Sequence, residues 1–373
     1  MRPVTKGAGA GYVPATTLSW NKYNNKHQQT AAWTALNALT GLTTDPLVLP
    51  LATALQLALA AVVATPPTAN QTTAKNAIID KATDIYKTAA GPLASAVGPF
   101  CSYCETAIPG LLEVEHVAPK ASYPTLMTTW ANFLLSCGPC NNIKRENPNR
   151  AAAAVNPPPP ALDPTTGTDT AFYDKIRNMY AWPDWWDGTF QFFPIDFQMS
   201  PDNGTTWESM SYADASDLQD NYLVSQDLNT RAIRADLRHD GQLYYNVLVA
   251  AVVQPWGENL VQLCGLNNPG NTGVNKTYDR RLYNRTLAWF QILEVMRPLM
   301  NIDDEQTFLQ LWPIIQYSSA STGFWSLWVT LLSQFNDFDD PPHSLGYWLY
   351  SDNNATTFYP GTNTTNIVLP PRQ

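Results

Sequence analysis

The chain has 373 residues, of which 45% are hydrophobic, enough apolar material for a packed core; wholesale disorder is excluded. Only 14% are charged, well under the usual share of about 25%. The net charge of −9 excludes a molecule drawn to nucleic acid by its overall field, so any such contact must come from a local patch or a partner.

The opening MRPVTKGAGAGYVP has no apolar run behind its charges and does not read as a secretion signal. Residues 1–30 are polar and rich in Asn and Gln, as in an extended arm. Residues 31–64 and 70–98 carry helical patterns. The first is rich in Ala and Leu and is broken at Thr43-Thr44-Asp45-Pro46. Its stretch from Pro50 to Ala64 is the membrane candidate, but a spanning helix needs about 20 apolar residues, and this run is short and holds Thr53 and Gln56. It reads as a buried helix of a soluble, cytoplasmic protein with no membrane association. The second pattern sets Ile78, Ile79, Ala82, Ile85 and Tyr86 on one helical face and is expected to end at Gly91-Pro92.

Residues 99–150 form a compact motif region. A proline-rich stretch, VNPPPPALDPTTG, follows and marks the strongest internal boundary, giving a connector over 151–169. Residues 170–218 are aromatic and turn-rich, and alternation across Thr189–Phe197 predicts a β-hairpin. From about 221 onward helical patterns dominate, in DLNTRAIRADLRHDGQLYYNVLVAAVVQ, YDRRLYNRTLAWFQILEVMRPLM and TFLQLWPIIQYS. The polar tail from Ser351 is expected to fray. The expected organisation is a helical region over 1–98, the motif core over 99–150, the connector, and an aromatic-rich, mostly helical region over 170–373.

Five cysteines are present, and four form two C-x-x-C pairs, Cys101/Cys104 and Cys137/Cys140; Cys264 stands apart in an apolar stretch. Each C-x-x-C turn sets two thiolates on one side, and two such turns complete a closed tetrahedral zinc site. Such a site has no open position, so its zinc is structural. The bland alternative is two coincidental pairs of buried cysteines.

Between the pairs lies LEVEHVAPK, with Glu115 directly before His116, then Asn132 and, right after the second pair, Asn141. An isolated Glu-His pair is weak evidence. An acid-His doublet, a central Asn and a second Asn nine positions later, in register with the cysteines, resemble an HNH nuclease of the zinc-bearing ββα-metal kind over residues 99–150. The resemblance implies an α+β fold, a small ββα-metal core embedded in a mostly helical protein. It implies metal-dependent hydrolysis of DNA, or of RNA. His116 then takes the water proton, as an imidazole with a pKa near neutrality can. Glu115 and Asn141 become the ligands of a catalytic Mg²⁺ or Mn²⁺, and Asn132 bonds the loop that fixes His116. Neighbouring strand residues face opposite sides, so the doublet needs a bend, which Pro119 suits. Asn in place of His at position 141 favours hard ions. The alternative is a non-catalytic zinc-dependent binding or interaction subunit.

Lys144 lies one helical turn past Asn141 and is expected to meet a phosphate. Arg231, Arg234 and Arg238, followed by His239, make one basic stripe; Arg280, Arg281 and Arg285 make a second cluster. Each is either a solvated face or a phosphate-contacting rim, with Arg280 and Arg281 the nominated contacts. The opening Met1-Arg-Pro-Val and the Cys264-Gly-Leu-Asn-Asn to Arg281 stretch are loosely similar to HNH subunits of Septu-type antiphage systems, which implies an ATPase partner.

Overall fold

The computed structural model of the protein describes residues 4, 6–7, 17–19, 48–50, 86–108, 110, 113–120, 130–145, 180, 182–184, 190–191, 195–199, 206, 208–209, 238–239, 242–243, 245–249, 254–267, 281–296, 305–334, 359–362 and 367–368. Among them, helices and small, mostly antiparallel sheets are mixed, and no helix is long and apolar enough to cross a membrane.

Near the N-terminus, β1 (Thr17–Ser19) pairs antiparallel with β2 (Val48–Pro50). Residues 48–50 are therefore strand, where a helix was expected: they follow the break at Thr43–Pro46, and a β-branched residue between prolines has little reason to be helical. A 3-10 turn over Lys87–Ala89 leads into α1 (Ala90–Val97). Gly91-Pro92 was expected to close a helix here and instead lies in the first turn of one, where the missing proline N–H costs nothing. Residues 70–85 and the rest of 31–64 lie outside the described residues.

The motif region folds as β3 (Glu113–His116), β4 (Phe133–Ser136) and α2 (Gly138–Lys144). The strands pair antiparallel, Glu113 to Ser136, Val114 to Leu135, Glu115 to Leu134 and His116 to Phe133. Pro139, in the first turn of α2, is pre-set for a helix start. Phe133, Leu134 and Leu135 are fully buried, so this hairpin belongs to the core.

Beyond the connector, β5 (Phe190–Gln191) pairs parallel with a C-terminal strand (Ile367–Val368), whereas β6 (Ile195–Met199) joins a separate antiparallel sheet with β7 (Glu208–Ser209). The hairpin expected across 189–197 is thus corrected: Pro194 stands between two strands of different sheets, and no turn dipeptide connects them. The helix expected to run through 238–249 is also corrected. That segment forms β8 (Arg238–His239), β9 (Gln242–Leu243) and β10 (Tyr245–Val249), with β8 paired to β9 and β10 paired to β6. Asp240-Gly241, between β8 and β9, is a two-residue hairpin signal, and the valines after it suit a pleated sheet. Arg238 therefore sits in a strand, and the Arg231/Arg234/Arg238 helical stripe does not form at its last member.

The helical part comprises α3 (Gln254–Cys264), α4 (Arg281–Met296), α5 (Glu305–Thr322, with Pro313 inside it) and α6 (Trp325–Gln334). Residues 323–332 are buried all round, as an apolar helix at the centre of a core must be. The expectation of a fraying tail is corrected as well. Tyr359 is buried, stacks on Phe100 at 4.9 Å, and donates its hydroxyl to the Ser319 carbonyl at 2.7 Å. Val4 bridges to Thr362 and bonds Pro183, so the start of the chain docks there too.

Candidate functional site

The four cysteines converge. Cys101 and Cys104 lie on a tight knuckle in which the Cys101 N–H donates to Thr106 O at 3.0 Å and the Glu105 N–H to Cys101 O at 2.9 Å. Cys137 directly precedes α2, and Cys140 is within it. The knuckle is tied to β4 because the Ser102 N–H donates to Leu135 O at 2.8 Å. All four sulfurs lie within 4.8 Å of one another, with Cys104 and Cys137 at 3.6 Å, and none is in a disulfide. A zinc–sulfur bond of about 2.3 Å in a tetrahedron sets sulfurs about 3.8 Å apart, so the donor set fits zinc.

Hydrogen bonds from Cys101, then Cys137 and Cys140, hold the Cys104 thiol well below its ordinary range, while burial drives Cys140 up. Among crowded thiols one thiolate is stabilised at the others' expense; a divalent cation at the centre lets all four ionise. The cage also has outer partners. The Arg281 guanidinium donates to Cys140 Sγ at 3.0 Å and to the carbonyls of Cys264 and Gly265 at 2.7 and 2.9 Å. Thr106 Oγ1 lies 3.2 Å from Cys104 Sγ.

The doublet sits on β3, one strand away. Alternation puts Glu113 and Glu115 on the face toward α2, and Val114 and His116 on the other. No bend breaks the strand at the doublet; the turn comes after it, at residues 117–120. The His116 ring meets Tyr86 edge-on at 4.5 Å and Phe133 at 5.2 Å, and Tyr86 accepts a hydrogen bond from Lys120 at 2.8 Å. Asn132 grips the turn from both sides: its Oδ1 accepts from the Ala118 N–H at 2.8 Å, and its Nδ2 donates to Ala118 O at 3.0 Å.

On the other face, the Asn141 amide donates to the Glu113 carboxylate, and Glu115 pairs with the Lys144 ammonium. Burial raises the Glu115 carboxyl above its ordinary value despite the pull of Lys144. Glu115 and Asn141, the pair expected to hold a catalytic divalent ion, are each engaged by a different neighbour.

Two expected phosphate contacts are corrected. Lys144 is 0% exposed, its charge spent on Glu115 and on His116 O at 2.7 Å. Arg281 is buried behind the cysteine cage. Arg280, Arg231 and Arg234 lie outside the described residues.

Two contributors had no signature in the residue pattern, and a third had one only as part of a basic cluster. Lys6 donates to the carbonyls of Trp130, Ala131 and Phe133 at 3.4, 2.9 and 2.6 Å and pairs with Asp184 at 2.6 Å, bracing the turn that carries Asn132. Glu105, next to a cysteine, accepts from both the N–H and hydroxyl of Ser326 at 2.8 Å and so caps α6. Arg281 was visible only as one of a basic cluster. By contrast, the pairing of Glu113 with Asn141 could have been read from strand alternation, since Glu113 shares the face of Glu115.

Over 60 residues the chain is 38% identical to the Septu protein PtuB of Bacillus thuringiensis. That stretch is 15% of this chain and 23% of the relative, so the chain spans less than a quarter of that protein. No family model matches, and no solved structure matches.

Proposed function

We propose that this chain is an HNH-type phosphodiester hydrolase acting on DNA within a Septu-type antiphage system. The observation that carries the reading is the double hydrogen bond of Asn132 to Ala118, two residues past His116, on a hairpin tied to the four-thiol cage. These bonds satisfy the backbone of a buried turn and hold it in one place. Fixing it fixes the backbone on which an imidazole base would stand.

In this reading His116 takes the proton from a water that attacks the phosphodiester, and Asn132 and Lys6 hold its strand end in place. Zinc on Cys101, Cys104, Cys137 and Cys140 supplies fold, not chemistry. Charge neutralisation at the phosphate would come from Mg²⁺ or Mn²⁺ by the HNH resemblance. Glu115 and Asn141, as arranged here, do not fit that task, and no step is assigned through the ion.

A second feature supports control by a protein partner, such as an ATPase. Glu115 and His116 are each only 5% exposed, so substrate reaches them only after their surroundings rearrange. The same burial favours the alternative, a zinc-dependent interaction subunit without catalysis. Incubating the purified full chain with supercoiled plasmid and Mg²⁺ or Mn²⁺, alone and with the proteins of its own system, separates the two. Nicked or linear products are expected in at least the complete mixture; intact plasmid throughout overturns the reading.

A further inference from the structure

Cys101, Cys104 and Cys140 are buried and Cys137 is half-buried. A divalent zinc on four thiolates leaves the centre negatively charged overall. Charge held that far from water is costly unless an opposite charge lies beside it. Arg281, the first residue of α4, supplies one: its buried guanidinium donates to Cys140 Sγ at 3.0 Å.

The rival role is a plain cap on α3, because the same guanidinium bonds Cys264 O and Gly265 O at 2.7 and 2.9 Å. That helix end is already closed by backbone. The Gly265 N–H donates to Gln262 O at 3.1 Å and the Leu266 N–H to Val261 O at 2.9 Å, with Gly265 at φ +57°. The carbonyls left over are neutral, and a neutral donor would satisfy them. A guanidinium buried here needs an anion, and the Cys140 sulfur, a thiolate once zinc is bound, is one within hydrogen-bond reach. Arg285, one turn along α4 and also buried, donates to Leu266 O at 3.0 Å and brings a second positive charge to the same turn.

We propose that Arg281 is the counter-charge of the zinc–thiolate centre. Through Cys140 it offsets part of the centre's negative charge, and metal occupancy thereby becomes a condition for seating the first turn of α4 against α3. This goes beyond the hydrolase reading and holds whether or not the chain cuts DNA; it rests on zinc occupying the cage.

The test compares the full chain as wild type, Arg281→Gln and Arg281→Lys. Gln keeps an amide donor for the α3 carbonyls but no charge, whereas Lys keeps the charge without the fork. Zinc affinity is read by competition with a chromophoric chelator, and the sulfurs by absorption after Co²⁺ replaces zinc. Loss of an outer partner of a metal ligand typically costs about 10–100-fold in affinity, and Arg281→Gln should fall in that range. Its sulfur-to-Co²⁺ charge-transfer band should move to longer wavelength, because a positive charge beside a sulfur lowers its lone pairs and raises the transition energy. Arg281→Lys should recover most of the affinity and leave the band near its wild-type position. A mere cap on α3 would not move that band. Wild-type affinity or an unmoved band in Arg281→Gln overturns the counter-charge, and so does a Lys variant no better than Gln. If Arg281→Gln gives no folded protein, Arg281→Lys decides: one zinc per chain with an unmoved band supports the proposal, and lost zinc or a shifted band overturns it. A wild-type chain that takes up no zinc removes the zinc reading and the counter-charge together. Plasmid cleavage bears on neither result, so the hydrolase reading stands or falls separately.

Discussion

The side chain with the clearest single task is Asn132. Both ends of its amide are matched to the two backbone groups of one buried residue, Ala118. Asn132→Ala leaves that N–H and C=O without these partners, and each such buried group costs about 1–3 kcal/mol. The expected loss is roughly 2–4 kcal/mol, read from the urea unfolding midpoint, with any plasmid cleavage falling alongside. At this scale the chain's own letters went some way. The cysteine spacing alone announced a four-thiol cage, because C-x-x-C has few other uses. Basic residues were harder, because a lysine or arginine reads the same whether it faces a phosphate or a carbonyl. Lys144 and Arg281 are spent internally, on partners 16 or more positions away, and only the fold brings those partners near.

Among the elements, the join between the cysteine knuckle and the C-terminal helices has no counterpart in local pattern. Glu105 caps α6 with its carboxylate, and its own carbonyl accepts from the Phe324 N–H at 3.0 Å. Gly323, between α5 and α6, holds φ at +73°, and a Cβ there would lie 2.3 Å from Glu105 O. Neither atom is free to retreat, since Glu105 O is backbone and a Cβ is fixed by the backbone that bears it. Gly323→Ala should cost at least about 2 kcal/mol by denaturant unfolding, from positive φ and the clash together. A neutral result would mean that the knuckle and α6 are not in this contact. The helices over 281–296 and 305–322 were legible from their period, whereas α3 and α6 carried no pattern that was named, and the strands over 238–249 were not read. There the Asp-Gly turn was outvoted by a run of apolar residues long enough to pass for helix, a known ambiguity of short apolar segments.

For the whole molecule, the cage is a junction. It is bonded to β4 through Ser102, to α4 through Arg281 and to α6 through Glu105. Removing zinc, by chelation or by Cys140→Ser, should therefore lose helical signal well beyond the knuckle, including protection of amides in α4 and α6 by hydrogen exchange. Loss confined to residues near the cysteines would contradict that coupling. Charge sets a second expectation. The region 99–150 has four basic residues, Lys120, Lys144, Arg145 and Arg150, against the acids Glu105, Glu113, Glu115 and Glu146. With Lys144 buried, little positive surface remains there for phosphates. Binding of the isolated chain to duplex DNA at ~150 mM salt should be weak, on the order of 10⁻⁶ M or poorer, because counterion release needs several neutralised phosphates. Submicromolar affinity would show that a basic surface outside 99–150 supplies the contact without a partner.

The central claim is that His116 is the base of a hydrolase held in shape by zinc. The most direct measurement compares cleavage rates of wild type and His116→Ala on the same plasmid, with partner proteins present and zinc content matched by elemental analysis. Loss of a positioned base costs about 10²–10⁴-fold. The account predicts a fall in that range with one zinc per chain retained in both proteins. Near-equal rates at equal zinc content would contradict it.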